Sequence, residues 1–309
     1  MSAAHASHAT NHIRTTAGRH RRRLALVLAI SVVILAAQFV GGLMSGSLAL
    51  LADAGHMLTD VAGLAMALAA IGLAQRPPTL TRTWGLARAE VLAAGLNALL
   101  LIGVGVWVLV EAAQRFSDPP EVATGTMLVF AVVGLVGNLV GVGLLASAQR
   151  ESMNMRGAFL ELLSDAVASI GVLVAAVLVR YTSFAAADTV VAAAIALFIL
   201  PRAVRLLREA VRVLLESTPR DVDLAEVRRH ILAVPRVLDV HDLHASTVTS
   251  GLPVLSAHVV IENGCFHDGH APHVLDSLQH CLASDFDVLH STFQLEPRGH
   301  EHHEHASHA

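Results

Sequence analysis

Lysine is absent from this 309-residue chain, and all 21 basic residues are arginine, a compositional bias that carries no mechanism of its own. Charge is scarce altogether: 15% of residues are charged, 54% are hydrophobic and the mean hydropathy is +0.59. Soluble domains carry about 25% charged residues, so this balance excludes an ordinary soluble protein and points to several membrane spans. The net charge of −4 is modest and says little about partners; no nucleic-acid partner is expected. The two cysteines, Cys265 and Cys281, lack CxxC spacing and read as reduced thiols of a cytosolic domain. A single intramembrane His and no HExxH pair speak against a membrane enzyme such as an intramembrane metalloprotease. No small-residue cleavage site interrupts the first apolar run before Gly41, so that run reads as a first membrane helix and not a removed signal peptide.

Histidine is missing where the chain is apolar. The chain has 19 histidines, yet His56 stands alone between Arg21 and Arg229. It lies in LLADAGHMLTDVA (50–62) with Asp53 and Asp60, inside a segment long enough to cross a bilayer. Ionisable groups at that depth are costly unless paired or bound, and mark an ion pathway by default. His56 and Asp60 are four apart and share a helix face, which suits a proton site, a metal site or both.

Six apolar stretches approach the ~20 residues a bilayer requires: 24–44, 48–74, 87–112, 124–147, 158–179 and 184–207. Arg14, Arg19, Arg21, Arg22, Arg23, Arg76, Arg82, Arg88, Arg150, Arg156, Arg202, Arg205, Arg208 and Arg212 fall on one side, against Arg115 and Arg180 on the other. The positive-inside rule then puts both termini in the cytoplasm of a multi-pass plasma (inner) membrane protein. Residues 1–20 read as a disordered, His-containing tail, 21–212 as the transmembrane domain, 213–298 as a cytosolic domain and 299–309 as a His-rich tail. Within 213–298 the hydrophobic pattern gives a helix over 221–233, strands over 237–249 and 254–262, a helix over 273–282 and a strand over 288–295. The expected fold class is an all-α six-helix transmembrane bundle with a C-terminal cytosolic α+β domain of ferredoxin-like αββαβ order.

Spans two and five carry an echo. His56-Met-Leu-Thr-Asp60 matches Glu161-Leu-Leu-Ser-Asp165, a ligand-type residue followed four later by Asp in a small-residue frame. If these spans pack together, His56, Asp60, Glu161 and Asp165 converge, and one imidazole with three carboxylates suits a divalent cation. The same groups take protons when the metal leaves. The competing reading pairs Glu161 and Asp165 with Arg156 near the cytoplasmic surface. Glu90 with Arg88 reads as an interfacial ion pair, Gln38, Asn97 and Asn138 as interhelical hydrogen-bonders, and Asp188 as a cap or outer charge. Asp53 caps, pairs or lines the pathway.

Five runs, 41–64, 88–101, 154–173 (NMRGAFLELLSDAVASIGVL), 214–231 and 240–251 (VHDLHASTVTSG), resemble the cation diffusion facilitators, in particular the bacterial zinc, cobalt and cadmium efflux type. The resemblance covers about 14–298 in order. It implies a six-span homodimer exporting a divalent metal, Zn²⁺ foremost, in exchange for H⁺, with the transport site at His56, Asp60, Glu161 and Asp165. It also implies a cytosolic regulatory metal site at His241, His258, His290 and Glu296. Two departures stand out: close relatives usually have His where this chain has Glu161, and Ser246 stands where HDLH is usually followed by Trp. Cd, Co, Mn or Fe as cargo, and a membrane metal sensor without transport, are the alternatives.

Overall fold

The structure is a computed structural model and describes residues 26–74, 78–147, 153–182, 184–249, 251–288 and 290–300. The N-terminal tail and residues 301–309 of the C-terminal one lie outside the described residues. Six long helices come first: α1 (Leu26–Ser45), α2 (Leu48–Ala74), α3 (Ala89–Ser117), α4 (Thr124–Leu145), α5 (Met153–Tyr181) and α6 (Ala187–Leu214). Among the described residues, five of them, all but α2, are long and apolar enough to cross a membrane. A C-terminal α+β part follows: α7 (Leu224–Ala233), β1 (Val237–Thr247), β2 (Pro253–Ile261), a short 3₁₀ turn, α8 (Ala271–Asp285) and β3 (His290–Pro297). Two compact units emerge, Met1–Ala65 with Leu96–Leu206, and Met66–Gly95 with Leu207–Ala309.

The first unit is held by small residues. Ala52, Ala131, Ala175, Ala176, Ala192, Ala196 and Ala203 are buried together with Leu48, Leu50, Met127 and Val172. Small side chains let helix backbones approach where lipid removes any hydrophobic drive between helices. Large apolar residues instead face out along the same helices, among them Val33, Phe39, Val106, Val129, Leu197 and Phe198. Apolar exposure on that scale matches a lipid environment and makes this a multi-pass membrane protein.

Where α1 ends, Gly46 takes φ +70°, a left-handed conformation that glycine adopts without a Cβ penalty. Ser47 then caps α2, its Oγ accepting from Leu50 N at 3.1 Å. The remaining open amides of that first turn are met from far along the chain. Asp188, in the first turn of α6, accepts from Ser47 Oγ at 2.5 Å, Leu48 N at 2.7 Å and Ala49 N at 3.3 Å, and is 1% exposed. A carboxylate at a helix N-terminus also meets the positive end of the helix dipole. Asp188 therefore caps a helix other than its own.

In the second unit β1 pairs antiparallel with β2, and β2 pairs parallel with β3, which α8 makes possible as the crossover. Val227 and Ile231 of α7 and Leu278 and Leu282 of α8 close on Val240, Leu255, Ala257 and Val259 of the sheet. The order αββαβ is the one the hydrophobic pattern predicts, with ends shifted by a few residues. One surface pairing differs from expectation. Arg88 bonds Glu216 at 2.7 Å, not Glu90, and Glu90 instead accepts from Thr249 Oγ1 at 3.1 Å. Residues two apart at a helix start do not face each other, so each finds a partner elsewhere in the fold. Before α8, Asp268 accepts from His270 N at 3.1 Å and pairs with His270 Nδ1 at 2.8 Å and Arg236 Nη1 at 3.0 Å. Desolvation pushes its carboxyl up, but these bonds outweigh it and hold the group at about 2, against an ordinary 3.8.

Asp188→Ala should lower stability by about 2 kcal/mol or more, since it strips a charged acceptor from buried amides. Thermal unfolding of the purified protein in detergent checks this, with Asp188→Asn expected to lose less. The depressed Asp268 group contributes stability that is fully present above pH 3.8 and lost as pH falls through about 2. Asp268→Asn should accordingly flatten the pH dependence of unfolding within that acid window and leave it unchanged at neutral pH.

Candidate functional site

Helical periodicity lines Asp53, His56 and Asp60 along one side of α2, and Glu161, Asp165 and Ser169 along one side of α5. The two rows meet. His56 Nδ1 lies 3.5 Å from Asp60 Oδ2, and His56 Nε2 lies 3.7 Å from Asp165 Oδ1. One ligand atom from each of the three residues falls within 4.8 Å of the others. Zinc–nitrogen and zinc–oxygen bonds of about 2.0–2.2 Å put tetrahedral ligand atoms about 3.4 Å apart, so the spacing suits one small cation. His56 and Asp165 are buried, at 6% and 3% exposed, and Asp60 is half-buried.

The polar atoms of this cluster are unsatisfied. His56 Nδ1, Asp60 Oδ2, Asp165 Oδ1 and Glu161 Oε1 are buried, and none has a hydrogen-bond partner among the described residues. Buried polar groups are almost always paired, and these four converge from two helices, so one bound partner can satisfy them together. The charge of that partner is set by the donors, one imidazole and three carboxyls.

Glu161 is the member whose placement differs from the symmetric expectation. It stands outside the close trio, and its Oε2 accepts from Arg202 Nη2 of α6 at 2.8 Å, not from Arg156. Its free Oε1 nevertheless belongs to the orphan set, and its carboxyl lies against Asp60. Arg202 is the neighbour that sequence reading missed. It counted only as an orientation charge at the end of span six, and nothing in a linear pattern ties it to α5. Asp53 also stays out of the trio. It is fully buried and accepts from Gln38 Nε2 at 2.5 Å and Ser169 Oγ at 3.4 Å.

A second cluster sits on the C-terminal sheet. The register pairs His241 with His258 directly across β1 and β2, and sets Glu296 on β3 opposite Val260, diagonal to His258. His258 Nδ1 lies 2.8 Å from Glu296 Oε1 and His241 Nε2 3.2 Å from Glu296 Oε2. Glu296 is 1% exposed and also accepts from Gln294 Nε2 at 2.9 Å. Asp242, at φ +50° where β1 departs from regular register, approaches His258 at 3.9 Å.

His290 does not join this trio, which corrects its assignment to the cytosolic site. Six residues of extended strand separate it from Glu296, about 20 Å at strand rise, and its ring packs edge-on against Trp84 at 4.9 Å between centroids. His267, His270 and His273 form no three-ligand group among the described residues; His270 is engaged by Asp268.

Comparisons with known proteins agree over nearly the whole chain. Residues 24–215 match the family model for the cation efflux transmembrane domain, and residues 219–298 match that for the cation efflux protein cytoplasmic domain. The metal cation efflux system protein CzcD of Cupriavidus metallidurans is 46% identical over 279 residues, covering 90% of this chain and 87% of that protein. The zinc transporter ZitB of Escherichia coli is 36% identical over 315 residues, covering 97% and 98%. A cadmium, cobalt and zinc/H(+)-K(+) antiporter of Bacillus subtilis is 34% identical over 282 residues, covering 89% and 90%. Among solved structures, the metal-bound C-terminal domain of the CzcD transporter is 43% identical, with a TM-score of 0.22, and covers 24% of this chain and 99% of that one. An apolar helical bundle, two contiguous family matches and relatives aligned over most of both chains lead to one conclusion: the chain belongs to the cation efflux, or cation diffusion facilitator, family of membrane transporters, and is not an enzyme.

Proposed function

We propose that this protein exports a divalent metal, Zn²⁺ first, from the cytoplasm in exchange for protons. All six long helices span the membrane, the bacterial inner one, with both termini cytoplasmic. The observation that carries the reading is the convergence of His56, Asp60 and Asp165 with four orphaned ligand atoms inside the bundle, Glu161 supplying the fourth. A sensor without transport has no use for such a centre.

The chain's own residues supply each part of the exchange. His56 and the three carboxylates replace the water shell of the arriving ion. Protons on the same groups are displaced as it binds, which couples the two fluxes. Arg202 neutralises part of the negative charge on Glu161 while no metal is present. Three carboxylates to one imidazole make this a harder donor set than one with two histidines, which favours oxygen-tolerant ions and weakens discrimination for zinc. Residues 21–212 form the transport domain. Residues 213–298 form a cytosolic, ferredoxin-like domain that joins a homodimer, and its trio of His241, His258 and Glu296 fits a zinc ion. Metal there biases the dimer toward its transport-competent packing.

Zinc uptake into everted vesicles under a pH gradient tests the site. Asp60→Ala and Asp165→Ala should each cut flux by at least about tenfold; parent-like flux in either one sinks the assignment. In a proteoliposome panel of Zn, Cd, Co, Mn and Fe, Glu161→His should raise the preference for Zn and Cd over Mn, because imidazole is the softer donor. An unchanged profile with normal flux removes Glu161 from the coordination shell. His258→Ala should leave maximal flux intact and raise the zinc concentration needed for half-maximal rate. Equal loss of maximal rate and apparent affinity would instead point to a folding defect.

A further inference from the structure

Among the described residues, Asp53 is the buried carboxyl near the proposed metal centre that the ligand set leaves unused. Its surroundings are built. Gln38 of α1 donates to Oδ2 at 2.5 Å, Ser169 of α5 reaches the same oxygen at 3.4 Å, and Asn138 of α4 donates to Ser169 Oγ at 3.3 Å. All four side chains are 0% exposed. Room for the amide is left by Gly134 of α4, where a Cβ would stand 2.5 Å from Gln38 Nε2. Asp53 Oδ1, Gln38 Oε1 and Asn138 Oδ1 have no hydrogen-bond partner among the described residues. The chain thus joins four helices through oxygen and amide groups alone and ends in three unused oxygens.

Its position relative to the metal centre is fixed by helix spacing. Asp53 lies three residues before His56 on α2, and Ser169 lies four after Asp165 on α5, so the network stands about one turn further along both helices in the same direction. The titratable groups facing Asp53 are Asp165 across the α2–α5 contact and His56 on its own helix. α1 and α4 present only amides, α3 presents Val104 against Gly55, and no arginine among the described residues pairs with the carboxyl.

A carboxylate without a cation is unfavourable at this depth. One carboxyl with neutral amide and hydroxyl oxygens is too poor a set for a divalent ion, and it contributes nothing to the three-ligand groups. We infer that Asp53 is a counter-ion station distinct from the metal ligands: its carboxyl carries a proton while the metal centre is empty and gives it up when a divalent ion occupies that centre one turn away. This rests on the proposed antiport reading. The O–H bond of Asp53 breaks, the anion left behind is stabilised by the Gln38 and Ser169 donors, and the proton passes to the water from which the metal came. After the metal leaves, a proton from the opposite side restores the acid.

The test uses the full-length protein in detergent, titrated with Zn²⁺ by calorimetry at one pH in two buffers of different ionisation enthalpy, which yields the metal affinity and the protons released together. Asp53→Asn keeps an acceptor for Gln38 but holds no ionisable proton. It should bind zinc within about threefold of the parent while releasing about one proton fewer per chain. In proteoliposomes, pH-gradient-driven flux should be lost and zinc/zinc exchange kept. Unchanged proton release overturns the inference, as does a joint collapse of zinc affinity, which would make Asp53 a ligand. A change that follows added K⁺ and not pH overturns the proton and assigns a metal monocation. Should Asp53→Asn fail to fold, the infrared difference spectrum of the parent on adding Zn²⁺ should show loss of a protonated-carboxyl C=O band, and Gln38→Leu should shift that band. A band that Gln38→Leu leaves in place overturns the inference. Parent-like zinc binding and flux in Asp165→Asn would instead defeat the transport-site reading itself.

Discussion

Carboxyl groups gathered inside an apolar bundle repel one another, and the arrangement of α2 and α5 has to contain that repulsion. Two unit charges about 4 Å apart interact by about 4 kcal/mol at an effective dielectric of 20. Among the described residues, Asp60, Glu161 and Asp165 face this with His56 as an imidazole neighbour and Arg202 as a paired cation. Such a cluster is comfortable only with a divalent ion or with protons among its members. Emptiness is its least stable condition, and for a proposed exchanger that is useful: the centre always favours picking up one cargo or the other.

Containing the strain requires that the helices not move apart. The ties are polar and come from distant segments. Asp188 of α6 holds the first turn of α2, and Gln38, Asn138 and Ser169 link α1, α4 and α5 to Asp53. Each tie reaches α2 from another helix, while the alanine-rich contacts between helices supply close fit and little specificity. α2 is thereby fixed at its start and at Asp53, and its ligand-bearing turn lies just beyond.

How much of this could be read in the chain depended on the kind of signal. His56, Asp60 and Asp165 were legible because an ionisable group in an apolar run is conspicuous and i,i+4 spacing fixes its face. The αββαβ order was legible because alternation and helical periods are local. Arg202 beside Glu161, Asp188 capping α2 and Glu216 taking Arg88 were not, since each joins residues 41 or more positions apart and the partner is chosen by packing. His290 shows the reverse error. It shares a strand with Glu296, but being on one strand does not bring the two together, and its ring finds Trp84.

The two clusters differ in how their polar atoms are paired, and this bears on the roles proposed for them. In the sheet cluster both Glu296 oxygens are engaged, one by His258 and Gln294, the other by His241. A metal at this proposed regulatory site has to displace hydrogen bonds already made, which lowers its net affinity and suits occupancy that follows the free concentration. In the bundle His56 Nδ1, Asp60 Oδ2, Asp165 Oδ1 and Glu161 Oε1 have no hydrogen bonds to give up among the described residues, so an ion at the proposed site gains the relief of a buried polar cluster. Left alone, that gain would trap the cargo. In the proposed exchange, the opposing force that lets the ion leave is competition from protons on the same carboxyls, from Arg202 on Glu161 and from Asp53 one turn away.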